Sequence, residues 1–248
     1  MITICMTHFK SLALSNFAAA LYSVRWQALS KVSEIVIVDN DSQDSAHELR
    51  TIADALAFPV PVRIYSFKHG DATKTHSWST NKAVSLATSE LVLFTRSDYL
   101  LDFDVMHQFV SNWDYPRFVT SDGRHLHVPI ADVEKTSWRE DGLKALDALH
   151  GTTFDYTVID TGVWMTSKVV FDAVGGLDEK LTAWGHAQTD FQYRLYKSGV
   201  QFVRVPEVLF QHPHHGGDKD INVAHAQLAM KGGNLKEMWS RYHGVSPY

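Results

Sequence analysis

The chain has 248 residues, of which 45% are hydrophobic and 21% charged, a composition typical of a soluble globular protein with a substantial core. Its formal net charge of −5 comes without a long basic run, which argues against a nucleic-acid-binding protein. One cysteine allows no intrachain disulfide, and neither a signal peptide nor a membrane-spanning apolar run is visible, so we expect a cytoplasmic protein.

The first hundred residues alternate predicted strands with predicted helices. Apolar runs predict strands at residues 2–9, 34–38, 62–67 and 90–95. Helical periodicity predicts helices at residues 11–29, 43–56 and 77–88. The β-branched run EIVIV is typical of a parallel strand buried on both faces. This alternation predicts an α/β fold with a mainly parallel sheet between layers of helices.

Polar residues stand where three of these strands end. Thr7 lies near the end of the first strand, Asp39 follows the second, and Asp98 follows the fourth. In open parallel sheets ligands bind outside the carboxyl ends of the strands. We therefore expect these three side chains to converge on one crevice.

The second half is less regular. Helices are predicted at residues 103–113 and 138–149, and strands at 117–128, with a turn at 122–123, and at 158–165 and 200–205. A further amphipathic helix is predicted to begin after Asp190 and to end at Gly199. No repeat or linker is visible. We expect a single domain over residues 1–248, with a nucleotide-binding half at 1–100 and an acceptor-binding half at 101–248.

The segment GGLDEKLTAWGHAQTD, residues 175–190, holds a Trp-Gly pair just before that helix. A tryptophan offers a flat apolar platform on which sugar rings stack, and a helix N-terminus favours anions. The alternative is a core tryptophan beside a turn glycine, since buried aromatic residues are common. These residues alone leave both interpretations open.

Four motifs, in this order, resemble those of nucleotide-sugar glycosyltransferases of the GT-A fold, in the broad family 2 group. IVIVDNDSQDS resembles the V-D-x-x-S-x-D signature, and LVLFTRSD resembles the strand that ends in the D-x-D motif. VGGLDEKLTAWGHAQTDFQYRLYKSG resembles the G-G-F-D-E…W-G-x-E-D…R-L…G segment of galactosyltransferase-like and chondroitin-polymerase-like members. LFQHPHH lies where those members carry a metal-binding or substrate-facing histidine. The resemblance covers roughly residues 2–215 and implies a GT-A, Rossmann-like fold.

The resemblance also implies an activity and a set of site residues. The activity is transfer of a hexose from a nucleotide sugar, with a UDP-sugar as the expected donor, to a glycan or other hydroxyl acceptor, with inversion favoured over retention. A divalent cation, Mn²⁺ or Mg²⁺, would stabilise the leaving diphosphate. The implied nucleotide contacts are Thr7, Asp39, Asn81, Arg96 and Asp98, with Asp39 reading the base. The implied metal ligands are Asp98 and His212, and the implied sugar or acceptor contacts are Trp184, Gly185 and Gln188.

The sequence departs from the resembled pattern at two motifs. Arg96 replaces the first acid of D-x-D, and a guanidinium there can itself pair with phosphate, which weakens the need for metal. Ala187 and Gln188 replace both acids of W-G-x-E-D, including the usual catalytic base. Asp190 is the nearest acid, and it is either the general base or a charge that complements the helix dipole.

Two other functions stay open at this stage. A catalytically weakened homologue would bind a nucleotide sugar or a glycan without efficient transfer, and the missing acids favour it. A nucleotidyltransferase on a similar sheet would carry a glycine-rich phosphate loop after the first strand. Residues 7–10, THFK, contain no glycine, which disfavours that class.

Overall fold

The structure, a computed structural model, describes residues 1–9, 12–40, 46–68, 75–149, 153–154, 162–181 and 186–214. The strands are β1 Ile2–Phe9, β2 Val32–Asn40, β3 Val62–Phe67, β4 Leu91–Arg96, β5 Leu100–Leu101, β6 Arg117–Pro129, β7 Thr153–Phe154, β8 Trp164–Ser167 and β9 Gln201–His214. The α-helices are α1 Leu14–Arg25, α2 Ala46–Ala55, α3 His76–Leu86, α4 Val105–Asn112, α5 Ile130–Val133, α6 Trp138–Asp141, α7 Lys168–Ala173 and α8 His186–Lys197.

Within the described residues, nine strands form one sheet in the order β3-β2-β1-β4-β8-β6-β9-β5, with β7 paired to β6. Strand β1 runs parallel to β2 and β4, β2 runs parallel to β3, and β6 runs parallel to β9. Strand β8 lies between the two parallel groups and runs antiparallel to both β4 and β6. The predicted mixed, mainly parallel sheet is therefore confirmed.

The core lies on both faces of this sheet. Alternation along β1 places Ile4 and Met6 on one face and Cys5 on the other. The first face packs against α1, where Phe17 is fully buried. The second packs against α3 and α8, where Phe191 is fully buried. Burial of each such phenylalanine stabilises the fold by roughly 1.5–3 kcal/mol, so both helices are held firmly against the strands that end at the candidate site.

Two predicted interruptions differ from the structure. The predicted turn at residues 122–123 is wrong, because β6 continues through it with register shifts on both sides of Asp122. Strand β9 likewise continues past Pro206, which falls where the same pairing skips two residues, as expected for a proline at a bulge.

The predicted helix at 138–149 is broken by Gly142, whose φ of +74° favours glycine, into α6 and a 3-10 segment at Leu143–Leu149.

Helix α8, the last helix among the described residues, begins earlier than predicted. Helix α8 starts at His186, so Asp190 is its fifth residue and not the residue before it. The helix ends at Lys197, two residues before Gly199, close to the predicted end. Among the residues that the structure describes, no helix is both long and apolar enough to cross a membrane.

Candidate active site

The carboxyl ends of β1, β2 and β4 lie side by side. The strand register places Thr7 beside Arg96 and His8 beside Asp39. The backbone N–H of Ser97 donates to the carbonyl of Thr7 at 3.0 Å, and its Oγ lies 2.8 Å from His8 Nδ1. The turn after β4 is thereby fastened to the end of β1, at the edge of the sheet where α/β proteins bind ligands.

Asp98, in this turn, forms a buried charged cluster with Arg96 and His212. Arg96 Nη2 donates to Asp98 Oδ2, and His212 Nε2, from β9, lies 3.1 Å from the same oxygen. The guanidinium also lies over the Tyr99 ring, 4.8 Å from its centroid, and Nη1 donates to the Tyr99 hydroxyl at 3.2 Å. The side chains of Arg96, Asp98 and His212 are at most 8% exposed. The structure thus brings Asp98 and His212 into contact although they are far apart in the sequence.

The contacts of Asp98 weigh against the metal site predicted at Asp98 and His212, and that site stays a prediction. One oxygen of Asp98 is already shared by a guanidinium and an imidazole. In the described ranges, no group of three or more His, Cys, Asp or Glu side chains is placed to hold a metal ion. Mn²⁺ and Mg²⁺ prefer several oxygen ligands, and a fixed cation beside the carboxylate repels a second one.

Gln188, on α8, is bound to a histidine that the sequence analysis did not identify. Its Nε2 lies 2.7 Å from Nε2 of His76, the first residue of α3. Burial of the imidazole, together with the positive charge of Arg96, lowers the pKa of His76 to about 3. His76 is therefore neutral at pH 7 and accepts a hydrogen bond from the Gln188 amide. A histidine at the boundary between a polar loop and a helix was the only sequence signal for this contact.

Asp190 faces away from Gln188. Residues two apart on a helix point in nearly opposite directions, and Asp190 Oδ2 accepts from Arg194 Nε at 2.8 Å, one turn later. Arg194 also donates to the carbonyl oxygens of Val174 and, at 2.7 Å, Gly176. These contacts join α8 to the glycine turn that precedes it. The catalytic role of Asp190 stays a prediction, but its geometry favours a structural role.

Asn81 holds the same turn from the side of α3. Its Nδ2 donates to the Leu177 carbonyl at 2.8 Å and to Glu179 Oε1 at 3.0 Å, and its Oδ1 accepts from the Leu177 N–H at 2.8 Å. Gly176 has a φ of +64°, and a Cβ there would lie 2.6 Å from Asn81 Oδ1, so only glycine fits. The predicted nucleotide contact of Asn81 stays a prediction. An open pocket of about 390 Å³ beside the turn is lined by Asn81, Gly175, Leu177, Asp178, Glu179 and Arg194.

The remaining predicted residues are placed as follows. Asp39 is fully buried at the end of β2, and its Oδ2 lies 3.7 Å from the Nζ of Lys68, an ion pair with a half-exposed partner. Its predicted contact with a nucleotide base stays a prediction. Trp184 and Gly185 lie outside the described residues, so their predicted contacts with sugar also stay predictions.

Comparison with protein families places the chain in a class. A family model described as "Glycosyl transferase family 2" matches residues 3–175, more than half of the sequence. A second, described as "N-terminal domain of galactosyltransferase", matches residues 144–215. The chain therefore belongs to glycosyltransferase family 2, and the predicted likeness of its later segment to galactosyltransferases is confirmed.

Solved glycosyltransferases share its fold. S. aureus TarS 1-349 aligns over 86% of this chain and 60% of its own, with a TM-score of 0.59 and 14% identity. The mannosyltransferase PcManGT from Pyrobaculum calidifontis, in complex with GDP-Man and Mn²⁺, aligns over 99% of this chain and 65% of its own, with a TM-score of 0.57 and 16% identity. The chain thus spans less than two thirds of either protein, and the likeness confirms the predicted GT-A fold. A comparison with curated proteins gives no match.

Proposed function

We propose that this chain transfers a sugar from a nucleotide-sugar donor to a hydroxyl group of a glycan or another acceptor. The observation that carries the proposal is the cluster of Arg96, Asp98 and His212 at the carboxyl edge of the sheet, in a chain of glycosyltransferase family 2. Charged and polar groups that are buried together at this edge are suited to an anionic ligand such as a diphosphate.

The donor half of the proposed site is formed by β1, β2 and β4. Thr7 and Asp39 stand at adjoining strand ends, where we propose that they contact the nucleotide. A UDP-sugar is the proposed donor. The GDP-Man bound to the structurally similar mannosyltransferase makes GDP-sugars the first alternative to test.

The acceptor half of the proposed site is the start of α8 and the residues before it. We propose that Trp184 and Gly185 contact the sugar and that Gln188 orients the acceptor hydroxyl. The Gln188 side chain is an amide, which can donate and accept hydrogen bonds but cannot take a proton at neutral pH. Inversion is the proposed stereochemical outcome, with the acceptor oxygen attacking from the side opposite to the diphosphate.

The same amide supports a second candidate function, binding of a nucleotide sugar without efficient transfer. General base catalysis contributes about 10²–10⁴-fold to a reaction rate, so an enzyme that lacks a base turns over slowly. In that case the crevice would retain affinity for the donor while the transfer rate stayed close to the rate of hydrolysis.

Incubation with UDP-glucose, UDP-galactose, UDP-N-acetylglucosamine and GDP-mannose, with and without a panel of oligosaccharide acceptors, tests both functions. We expect acceptor-dependent release of nucleoside diphosphate from one donor, and loss of that release in the Asp98→Asn variant. Asp172→Asn, which neutralises an exposed carboxylate on α7, is the matched control. Donor binding without acceptor-dependent release would favour the second function, and no binding of any donor would refute both.

A further inference from the structure

We propose that the guanidinium of Arg96, and not a divalent cation, is the charge partner of the donor diphosphate. This inference rests on the proposed function and identifies how the site handles the leaving group. Arg96 is the last residue of β4, beside the end of β1, where the sheet topology places a bound ligand.

The surroundings of Arg96 fix the plane of its guanidinium. Asp98 accepts from one terminal nitrogen, the Tyr99 hydroxyl accepts from the other, and the Tyr99 ring lies under the cation. His212 approaches the same oxygen of Asp98 and makes an edge contact with Tyr99, with ring centroids 5.0 Å apart. A planar guanidinium that is already oriented loses little side-chain entropy when it binds a phosphate.

The formal charges of Arg96 and Asp98 are consistent with an arginine in the place of a metal ion. Two carboxylates and a divalent cation have charges that cancel, which is the arrangement that an intact D-x-D motif provides. Arg96 and Asp98 also have charges that cancel, so their site reaches the same balance without metal. A divalent cation added to it would share one carboxylate with the guanidinium and would be repelled.

Burial strengthens the effect of this charge on an anion. The Arg96 side chain is 8% exposed, so little bulk water screens its interaction with a bound phosphate. The positive charge of Arg96 also affects the acceptor side of the crevice. Together with burial it lowers the pKa of His76, whose side chain contacts Gln188. One fixed cation therefore lies close to both the donor half and the acceptor half of the proposed site.

The proposed step balances without a metal ion. The acceptor oxygen forms a bond to the anomeric carbon of the sugar while the bond from that carbon to the diphosphate oxygen breaks. The electron pair of the broken bond stays on the diphosphate oxygen, and the hydroxyl proton passes to a water molecule. The guanidinium remains protonated throughout, because the pKa of arginine lies far above neutrality, and it stabilises the charge that grows on the leaving oxygen.

Calorimetric titration of the wild-type chain with UDP, GDP, CDP and ADP, each in Mn²⁺ and in EDTA, tests the inference directly. We expect at least one of these nucleotides to bind with dissociation constants that agree within about twofold between the two conditions. The Arg96→Lys variant keeps the charge but loses the planar fork, and its affinity should fall about 10- to 100-fold in both conditions, the range for a hydrogen bond to a charged group. Arg63→Lys is the control. It makes the same change at the amino end of β3, where Arg63 pairs with Glu34, and it should leave the affinity unchanged.

The Arg96→Asp variant adds a test of the exchange itself, because it restores both acids of the motif. Its affinity should be lost in EDTA and partly recovered in Mn²⁺, with a thermal unfolding scan to confirm that the variant folds. Wild-type binding that requires Mn²⁺ would overturn the inference and leave the proposed function standing. Equal affinity of wild type and Arg96→Lys would also overturn it, and no binding of any nucleotide in either condition would overturn the inference together with the proposed function.

Discussion

The substitution Asp190→Asn separates a catalytic from a structural role for the carboxylate nearest to the missing base. In the structure this carboxylate forms an ion pair with Arg194, and Arg194 in turn binds two carbonyl oxygens of the turn at residues 174–176. Asparagine keeps the size of the side chain and one acceptor oxygen. The substitution therefore removes the carboxylate charge while leaving a hydrogen bond from the Arg194 guanidinium to an uncharged oxygen in place.

The expected loss of stability follows from these contacts. Hydrogen bonds to charged groups contribute about 1.5–3 kcal/mol, and the bond that remains keeps only one of its two charges, so the change should cost about 1–2 kcal/mol. The Asp190 side chain is 9% exposed and that of Arg194 27%, so solvent screening keeps the cost toward the lower end. For a chain of this size the thermal midpoint should fall by roughly 2–8 °C. We expect turnover to fall less than about tenfold, because no proton acceptor is lost.

A general base at this position would give a different result, a loss of about 10²–10⁴-fold in turnover with unchanged donor affinity. The assay is therefore a steady-state measurement of nucleotide release alongside thermal unfolding, with Asp172→Asn as the control for loss of a surface charge. A double-mutant cycle with Arg194→Gln tests whether the effect of Asp190→Asn depends on Arg194. If Asp190 acts through Arg194, Asp190→Asn should add little in the Arg194→Gln background. A loss of 10²-fold or more in that background would refute the structural role.

Three further predictions concern buried polar contacts. Gln188→Glu places a carboxylate where the resembled family has its base; if the chain is the weakened transferase of the second candidate function, acceptor-dependent transfer at saturating donor should rise by about 10²-fold or more, while donor affinity falls through competition for Arg96. An unchanged rate would show that another group takes the proton. Burial opposes ionisation of Glu34, but hydrogen bonds from Thr88, Arg63 and Thr3 outweigh it and lower its pKa. Glu34→Gln should therefore cost about 2–4 kcal/mol in denaturant unfolding at pH 7, and the difference from wild type should shrink as the pH falls through the lowered pKa. His76 has a lowered pKa, so its contribution is complete above about pH 6.5 and is lost as the pH falls toward 3. Over that window wild type should lose up to about 1.4 kcal/mol per pH unit more than His76→Asn, and parallel pH profiles would contradict this account.

The first half of the fold could be predicted because its signals are local. Each parallel strand is an apolar run, and each connecting segment is polar or helical in its periodicity, so a mainly parallel sheet between helices followed from general rules for α/β proteins. The observed boundaries of β1 and β3 coincide with the predicted ones. The second half depends on contacts between distant segments, such as the pairing of β6 with β9, which carries both strands past residues that look like turns.

The start of α8 shows the physical reason for one error. His186, Ala187 and Gln188 show no apolar periodicity that would place them in a helix. In the structure Ala187 is buried in the core, and Gln188 is bound to His76 on α3. The tertiary contacts of these residues, and not their local propensity, extend the helix by more than one turn, which is how Asp190 comes to face Arg194.

The two departures from the resembled motifs belong to one connected part of the molecule. Arg96 contributes to the lowered pKa of His76, and the neutral His76 accepts a hydrogen bond from Gln188. A carboxylate at the position of Gln188 would instead favour a protonated histidine and would add a negative charge near Arg96, competing with the diphosphate for its guanidinium. The replacement of an acid by Arg96 and the replacement of an acid by Gln188 are thus electrostatically consistent. Together these replacements leave a fixed cation at Arg96 and a neutral pair at His76 and Gln188, which is the arrangement expected if Arg96 binds the diphosphate as proposed.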